Sequence, residues 1–184
     1  MAGSNRLRVL YLLHLSKPPH NRGVYRTIYR RKVRTILELG VGSGERAVRM
    51  IEAARWQTPA RQIQYTGVDL FESGADANGL SLTLKGAHRL LQTTGAKIRL
   101  VPGDPFAAMA RTANGLGPTD LVIVSAGLDR GSLDRAWFYL PRVLHPASVV
   151  LEELRTPSGE LVLRPVGPRE IDERSTLNVR RRAA

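Results

Sequence analysis

The sequence predicts an α/β protein: a mainly parallel sheet with helices on both faces. Three observations predict it. From residue 34 onward, short apolar runs alternate with helical patterns of about 10–15 residues, as βαβ units require. The stretch DLVIV (120–124) is apolar at nearly every position, as a strand covered on both faces must be. Finally, TILELGVGSGERAVRMI (35–51) sets Gly40, Gly42 and Gly44 between a strand-like run and an amphipathic one. A glycine inside a regular element costs about 0.5–1 kcal/mol relative to alanine, so this turn needs backbone without side chains.

The elements follow in order. Residues 6–15 carry helical spacing through Leu7, Leu10 and Leu13, and through Tyr11 and Leu15. SKPPHN (16–21) interrupts it, because paired prolines fix φ and remove donors. RGVYRTIYRRK (22–32) places Val24 with Ile28 and Tyr25 with Tyr29 at i, i+4, a second short helix with a basic back. TILEL (35–39) is a strand, and GERAVRMIEAARW (44–56) a helix with Ala47, Met50, Ile51 and Ala54 on one face. QIQYTGVDL (62–70) is a strand, and LSLTLKGAHRLLQTTG (80–95) a helix closed by Gly95. AKIRLVPG (96–103) is a strand, and DPFAAMARTANG (104–115) a helix with Pro105 at its favoured first position. TDLVIVSAG (119–127) is a strand, and SLDRAWFYLPRVL (132–144) a helix disturbed at Pro141. ASVVLEEL (147–154) is the fifth parallel strand, and GELVLRPV (159–166) a short sixth. The tail EIDERSTLNVRRRAA lacks apolar periodicity and is expected to be poorly ordered.

Composition narrows the function classes. At 184 residues one domain with a full core is feasible. The chain has no cysteine, which removes disulfides, thiolate metal sites and cysteine nucleophiles. No apolar run approaches the ~20 residues of a membrane span. LRVLYLLHLS (7–16) is short and lacks a small-residue cleavage site, so the expected location is cytoplasmic. The formal net charge is +12. Residues 1–34 hold nine Lys/Arg and no acid, residues 35–163 thirteen of each sign, and residues 164–184 six basic and three acidic side chains. Basic ends could meet phosphate. However, arginine outnumbers lysine 24 to 4, and no aromatics interleave with the carboxyl-terminal basic run as base-stacking platforms would. Nucleic acid is therefore not the favoured partner.

The order strand, glycine loop, helix places free helix N–H groups at the carboxyl end of the first strand, where doubly wound sheets bind ligands. The dinucleotide fingerprint is G-x-G-x-x-G. Here the spacing is G-x-G-x-G, and Glu45 stands where the third glycine would be. A carboxylate there would oppose a pyrophosphate, which ranks a nicotinamide-dependent reductase last.

ELGVGSG (38–44) resembles the first motif of class I S-adenosylmethionine-dependent methyltransferases, roughly acid-x-G-x-G-x-G. YTGVDL (65–70) is similar to their second strand, VPGDPF (101–106) to the third-strand loop, TDLVIVSAG to the fourth strand, and residues 135–153 to the helix, turn and fifth strand that follow. The resemblance covers residues 34–153. It implies a three-layer Rossmann-like methyltransferase sandwich with a short carboxyl-terminal part, since the family usually adds two further strands as an antiparallel pair. The implied divisions are a helical segment 1–33 covering the site, a cofactor-binding domain 34–166 and a basic tail 167–184.

The resemblance also implies S-adenosylmethionine as cofactor, held by Glu38, Gly40, Gly42, Gly44, Asp69, Asp104, Phe106 and Ser125. Asp69 would take the ribose hydroxyls, since one carboxylate accepts from both. Asp104 would sit near the adenine amine and Phe106 beside the ring, while Glu38 and the loop carbonyls would face the sulfonium and ammonium charges. Other roles stay open: Asp69 also suits a turn cap, and Asp104 the N-cap of the helix that starts at Pro105.

The implied activity is methyl transfer to a small-molecule acceptor. Two alternatives stand beside it: a cofactor-binding pseudoenzyme acting as an interaction module, and an RNA or DNA methyltransferase using the basic ends. The catalytic side is thinly marked. At the end of strand four, where related enzymes often carry an acid, the chain reads Ser125 and Ala126. Asp129 and His20 are the candidate proton acceptors. Glu152 and Glu153 are too few for a hard-metal site, so no metal is expected. His88 reads as a helix-surface residue and His145 as a turn residue; Tyr25, Tyr29 and Trp137 read as core.

Overall fold

A computed structural model of the chain describes residues 7–71 and 82–180. Six strands form one sheet: β1 (Thr35–Leu39), β2 (Gln64–Asp69), β3 (Lys97–Pro102), β4 (Thr119–Val124), β5 (Leu144–Arg155) and β6 (Leu161–Val166). Their order is β3-β2-β1-β4-β5-β6. The first five run parallel, and β6 returns antiparallel along β5. The chain steps from β1 outward to β3, then crosses back to β4 on the other side of β1. The adjoining carboxyl ends of β1 and β4 are therefore the switch point, and the connections there leave a crevice.

Strand alternation sorts the core into two halves. Ile36, Tyr65, Leu121, Ile123 and Leu151 face one layer. That layer holds a π-helical turn (Tyr11–Leu15), α1 (Arg22–Arg31), α2 (Glu45–Arg55) and α3 (Leu84–Gln92). Leu37, Leu39, Val68, Val122, Val124 and Val150 face the other. There lie α4 (Pro105–Thr112), α5 (Arg130–Ala136), a 3-10 stretch (Trp137–Val143) and α6 (Pro168–Arg180). Tyr25 and Trp137 are fully buried in these cores, as their helical spacing predicts. Pro141 sits inside the 3-10 stretch, where the regular α-helix has already ended.

The segment after residue 167 corrects one expectation in part: Pro168–Arg180 is helical rather than poorly ordered, while residues 181–184 of that tail lie outside the described residues. Its anchor is mostly electrostatic, which an apolar-periodicity reading misses. Ile171 supplies the buried apolar contact. Arg174 lies over the Trp137 ring at 4.5 Å. Arg164 and Arg174 each pair with both Glu152 (2.6 and 3.0 Å) and Glu170 (2.7 and 2.5 Å), an alternating ring of four charges. The arginine contacts hold the Glu170 carboxyl below its ordinary range, the Arg164 hydrogen bond most of all.

At the opposite edge Asp120 ties β4 to its neighbours. Its Oδ2 accepts from the Arg34 and Thr35 amides (2.7 and 2.9 Å), and its Oδ1 lies 3.1 Å from His145 Nε2. Burial works against its charge, but the two amides, Thr35 and His145 outweigh it and lower its pKa. A lowered folded-state value stabilises above the unfolded value and is lost as pH falls through the folded one. Asp120→Asn is expected to cost roughly 1–3 kcal/mol near neutrality. Urea titrations should show that gap closing as pH falls below about 3.9; a pH-independent gap contradicts the charge-based role.

Candidate functional site

Glycine geometry builds the turn after β1. Gly40 has φ +88°, and a Cβ there would stand 2.7 Å from Ser125 Cβ. Its missing side chain is thus demanded by the neighbouring β4 end. Gly42 has φ +58°, and a Cβ there would meet nothing within 4 Å. Its backbone lies open to a cleft of about 670 Å³ at the switch point. That volume lies within the range of small-molecule and cofactor sites.

Gly40, Gly42, Asp69, Asp104, Ser125 and Asp129 all line this cleft. The topology thus brings together six of the residues singled out in the sequence, from the ends of four strands. Asp69 closes β2: its Oδ2 accepts from the Gly42 amide (2.8 Å) and its Oδ1 from the Leu70 amide (2.7 Å). Asp104 caps α4, its Oδ1 accepting from the Phe106 and Ala107 amides (3.0 and 3.1 Å) and from the Ser132 hydroxyl. The Ser132 bond is the main reason its pKa is lowered. Capping and cleft lining coincide at this residue. Asp129 caps α5 by accepting from the Ser132 amide at 2.7 Å.

Four expected site residues lie elsewhere. Gly44 begins α2 with φ +77°, packed against Leu82 and Leu90. Phe106 packs on Tyr139 at 5.9 Å under the Arg135 guanidinium, outside the cleft lining. His20 is set behind the lining, with Nε2 3.0 Å from Glu153 Oε1. Glu38 is fully buried below the turn. The Tyr65 hydroxyl donates to its Oε2, and Arg46 Nε donates to its Oε1 at 2.6 Å. Glu38 therefore does not face the cleft with an unmet charge. Burial pushes its carboxyl up from the ordinary range, against the pull of Arg46 and Tyr65.

Arg46 is the residue the motif reading missed. From the first turn of α2 it reaches under the glycine loop. Its Nη2 donates to Ser125 Oγ (2.5 Å) and the Gly40 carbonyl (3.3 Å), and its Nη1 to Glu153 Oε1 (3.1 Å). Burial disfavours its charge, but Glu38 and Glu153 more than compensate and raise its pKa. Glu153 Oε2 accepts from the Ala126 amide at 3.2 Å. One cation thus fastens the ends of β1, β4 and β5 together. The signal was present: Arg46 lies one turn before Met50 on the buried helix face, opposite a glutamate inside an apolar strand.

Glu45 extends outward, pairs with Arg49 at 3.4 Å and does not line the cleft, so its charge does not oppose a pyrophosphate there. His88 is exposed on α3 and His145 sits in the turn that opens β5. Glu152 and Glu153 serve opposite sheet faces, one joined to Arg164 and Arg174, the other to the cleft. Among the described residues no three His, Cys, Asp or Glu side chains are grouped to hold a metal ion.

No protein-family model and no curated protein matches the sequence. Solved structures do match. The O-methyltransferase TomG from Streptomyces achromogenes, involved in tomaymycin synthesis and in complex with SAM, superposes with a TM-score of 0.59 at 16% identity, over 93% of this chain and 70% of that one. The O-methyltransferase from Bacillus cereus in complex with SAH gives 0.58 at 13%, over 97% and 76%. An O-methyltransferase family protein from Burkholderia thailandensis gives 0.54 at 17%, over 84% and 43%. At these identities the likeness shows the fold, and the chain has the Rossmann-like methyltransferase fold.

Arg46→Met leaves Glu38 buried without its cation. Unfolding experiments are expected to show a loss of about 3–5 kcal/mol, partly restored in Arg46→Met/Glu38→Gln. A single variant within about 1 kcal/mol of wild type would mean the pair is no more than a surface ion pair in effect.

Proposed function

We propose that the cleft binds S-adenosylmethionine and that the chain transfers its methyl group to a small-molecule acceptor. The observation carrying this reading is Asp69 joined to the open Gly42 amide at 2.8 Å. A carboxylate oxygen has two acceptor sites, so the amide bonds to Asp69 still leave capacity for both hydroxyls of a ribose. Gly42, without a Cβ on the cleft side, lets the ligand lie against backbone. The residues present fit the group.

Asp69 would hold the ribose. Asp104, whose Oδ1 is taken by capping, would offer its Oδ2 to the adenine amine. Of the two glutamates held by Arg46, Glu153 and not Glu38 lines the cleft, and with the three cleft aspartates it would face the ligand's positive charge. When bound, the cofactor supplies an electrophilic methyl on a sulfonium. The protein's part is alignment of the acceptor and removal of its proton. Of the two candidate proton acceptors, Asp129 lines the cleft, whereas His20 Nε2 is engaged with Glu153. Asp129 is therefore the proposed base.

Calorimetry with S-adenosylmethionine and its demethylated product tests the reading: both sulfur forms should bind. Asp69→Ala should lose about 1.5–3 kcal/mol of affinity, on the order of 10–150-fold. Folded protein giving no heat with either sulfur form overturns the proposal. Binding without turnover on any acceptor favours the pseudoenzyme alternative.

A further inference from the structure

The excess charge is distributed unevenly in three dimensions. Glu153, Asp69, Asp104 and Asp129 stand at the carboxyl edge of the sheet, around the cleft. The amino edge is the reverse. Arg34 directly precedes β1, Arg61 lies in the 3-10 turn (Ala60–Gln62) before β2, and Lys97 opens β3. Arg30 and Arg31 end α1, and Lys32 follows as its left-handed cap. Arg55 ends α2, and Gln57 two residues on donates from Nε2 to the Tyr29 carbonyl at 2.6 Å, joining the two helix ends.

All seven of these cations are exposed. None makes an ion pair among the described residues. Residues 30–34, 55–64 and 93–99 contain no acid. Two carboxylates come near this band: Asp120, taken by the Arg34 and Thr35 amides and His145, and Glu52, which shares a pocket with Arg55 and is paired with Arg8 at 2.6 Å. Helix dipoles account for Arg30, Arg31 and Arg55, since cations are favoured at helix carboxyl ends. They do not account for Arg34, Arg61 and Lys97.

The strand register spaces this edge. Thr35 pairs with Gln64 and Gln64 with Lys97, so the β1 and β3 ends stand two strand spacings apart, about 10 Å. An arginine-rich composition alone would scatter cations among acids. Here they form a band along three strand starts and two helix ends.

We infer that this amino edge docks the phosphate backbone of a nucleic acid. Repeated phosphates are the partner whose charge a row of unpaired cations fits, by release of condensed counterions. An anionic membrane would need apolar anchors beside the cations. Among the described residues the exposed large apolar side chains, from Leu7, Leu10, Tyr11 and Leu15 to Leu70, Val162 and Leu177, all belong to segments other than those that carry these cations. Gln57, Gln62 and Gln64, all exposed, add hydrogen-bonding groups instead. The cleft opens at the far end of β1, about 17 Å of strand away, so docking tethers the chain rather than placing a docked nucleotide in the cleft.

The test uses the full chain, labelled RNA, duplex DNA of the same sequence, and phosphatidylserine vesicles, each titrated at increasing KCl. Binding to RNA or DNA should weaken steeply with salt. Arg34→Gln/Arg61→Gln/Lys97→Gln should flatten the log–log salt slope by about 0.7–0.9 per phosphate contact removed. Lys85→Gln/Arg89→Gln/Arg169→Gln removes as many exposed cations elsewhere and should leave both slope and affinity near wild type. Thermal midpoints confirm that both variants are folded. Equal losses in the two variants would reduce the effect to net charge and overturn the proposal. So would binding to vesicles alone, or no salt-dependent nucleic-acid binding by the wild-type chain.

Discussion

Much of this structure depends on a single buried cation. Arg46 lies where β1, β4 and β5 end side by side, held between Glu38 and Glu153 and bonded to the Gly40 carbonyl and Ser125. Buried charges are expensive unless paired and fully hydrogen-bonded. Here the pairing is also directional, because a planar guanidinium has its donors in a fixed fork. The three strand ends and the glycine loop must therefore keep one mutual arrangement for the charges to be satisfied. A hydrophobic plug could fill the same space without specifying how the loop lies over it.

That constraint explains how a polar cleft can sit directly on a close-packed sheet. Below the turn, Ile36, Leu121, Ile123 and Leu151 need apolar neighbours. Above it, Gly42, Asp69 and Asp104 need water or ligand. The Glu38–Tyr65–Arg46–Glu153 chain forms the boundary. It turns the last residue of an apolar face into a polar one without leaving a buried donor unmatched. His20 extends the chain to the amino-terminal segment through Glu153, so the segment before α1 is linked to the cleft floor by chemistry as well as by packing.

The sheet was legible in the sequence because its strands are bracketed by glycine, proline and acid turns. Their apolar runs also match the period of a doubly covered strand. The placement of Asp69 and Asp104 was legible for a related reason: Asp69 ends β2 and Asp104 comes two residues after β3, so topology alone puts them at the carboxyl edge. Glu38 was harder. A motif reading treats an acid before a glycine loop as available, whereas its partner Arg46 comes from the next element and its Tyr65 donor from the next strand. Pairings of this kind depend on tertiary register, which a linear pattern does not contain. The helix Pro168–Arg180 escaped for the same reason. Its order rests on Arg164, Glu152 and Trp137, all outside the segment.

The three glycines of the loop finally separate into different physical cases. Gly40 is required by the protein itself: its φ is positive, and Ser125 already fills the space a Cβ would take. Gly44 is required by packing, since Leu82 and Leu90 press against it. Gly42 has a φ that most other residues adopt only under strain, yet nothing in the described structure would touch a side chain there. Conformation alone rarely demands glycine at φ near +58°, because asparagine and aspartate tolerate that region too. Of the three, Gly42 is the position where an open cleft and a bare backbone coincide, and the proposed ligand lying against the turn would account for both.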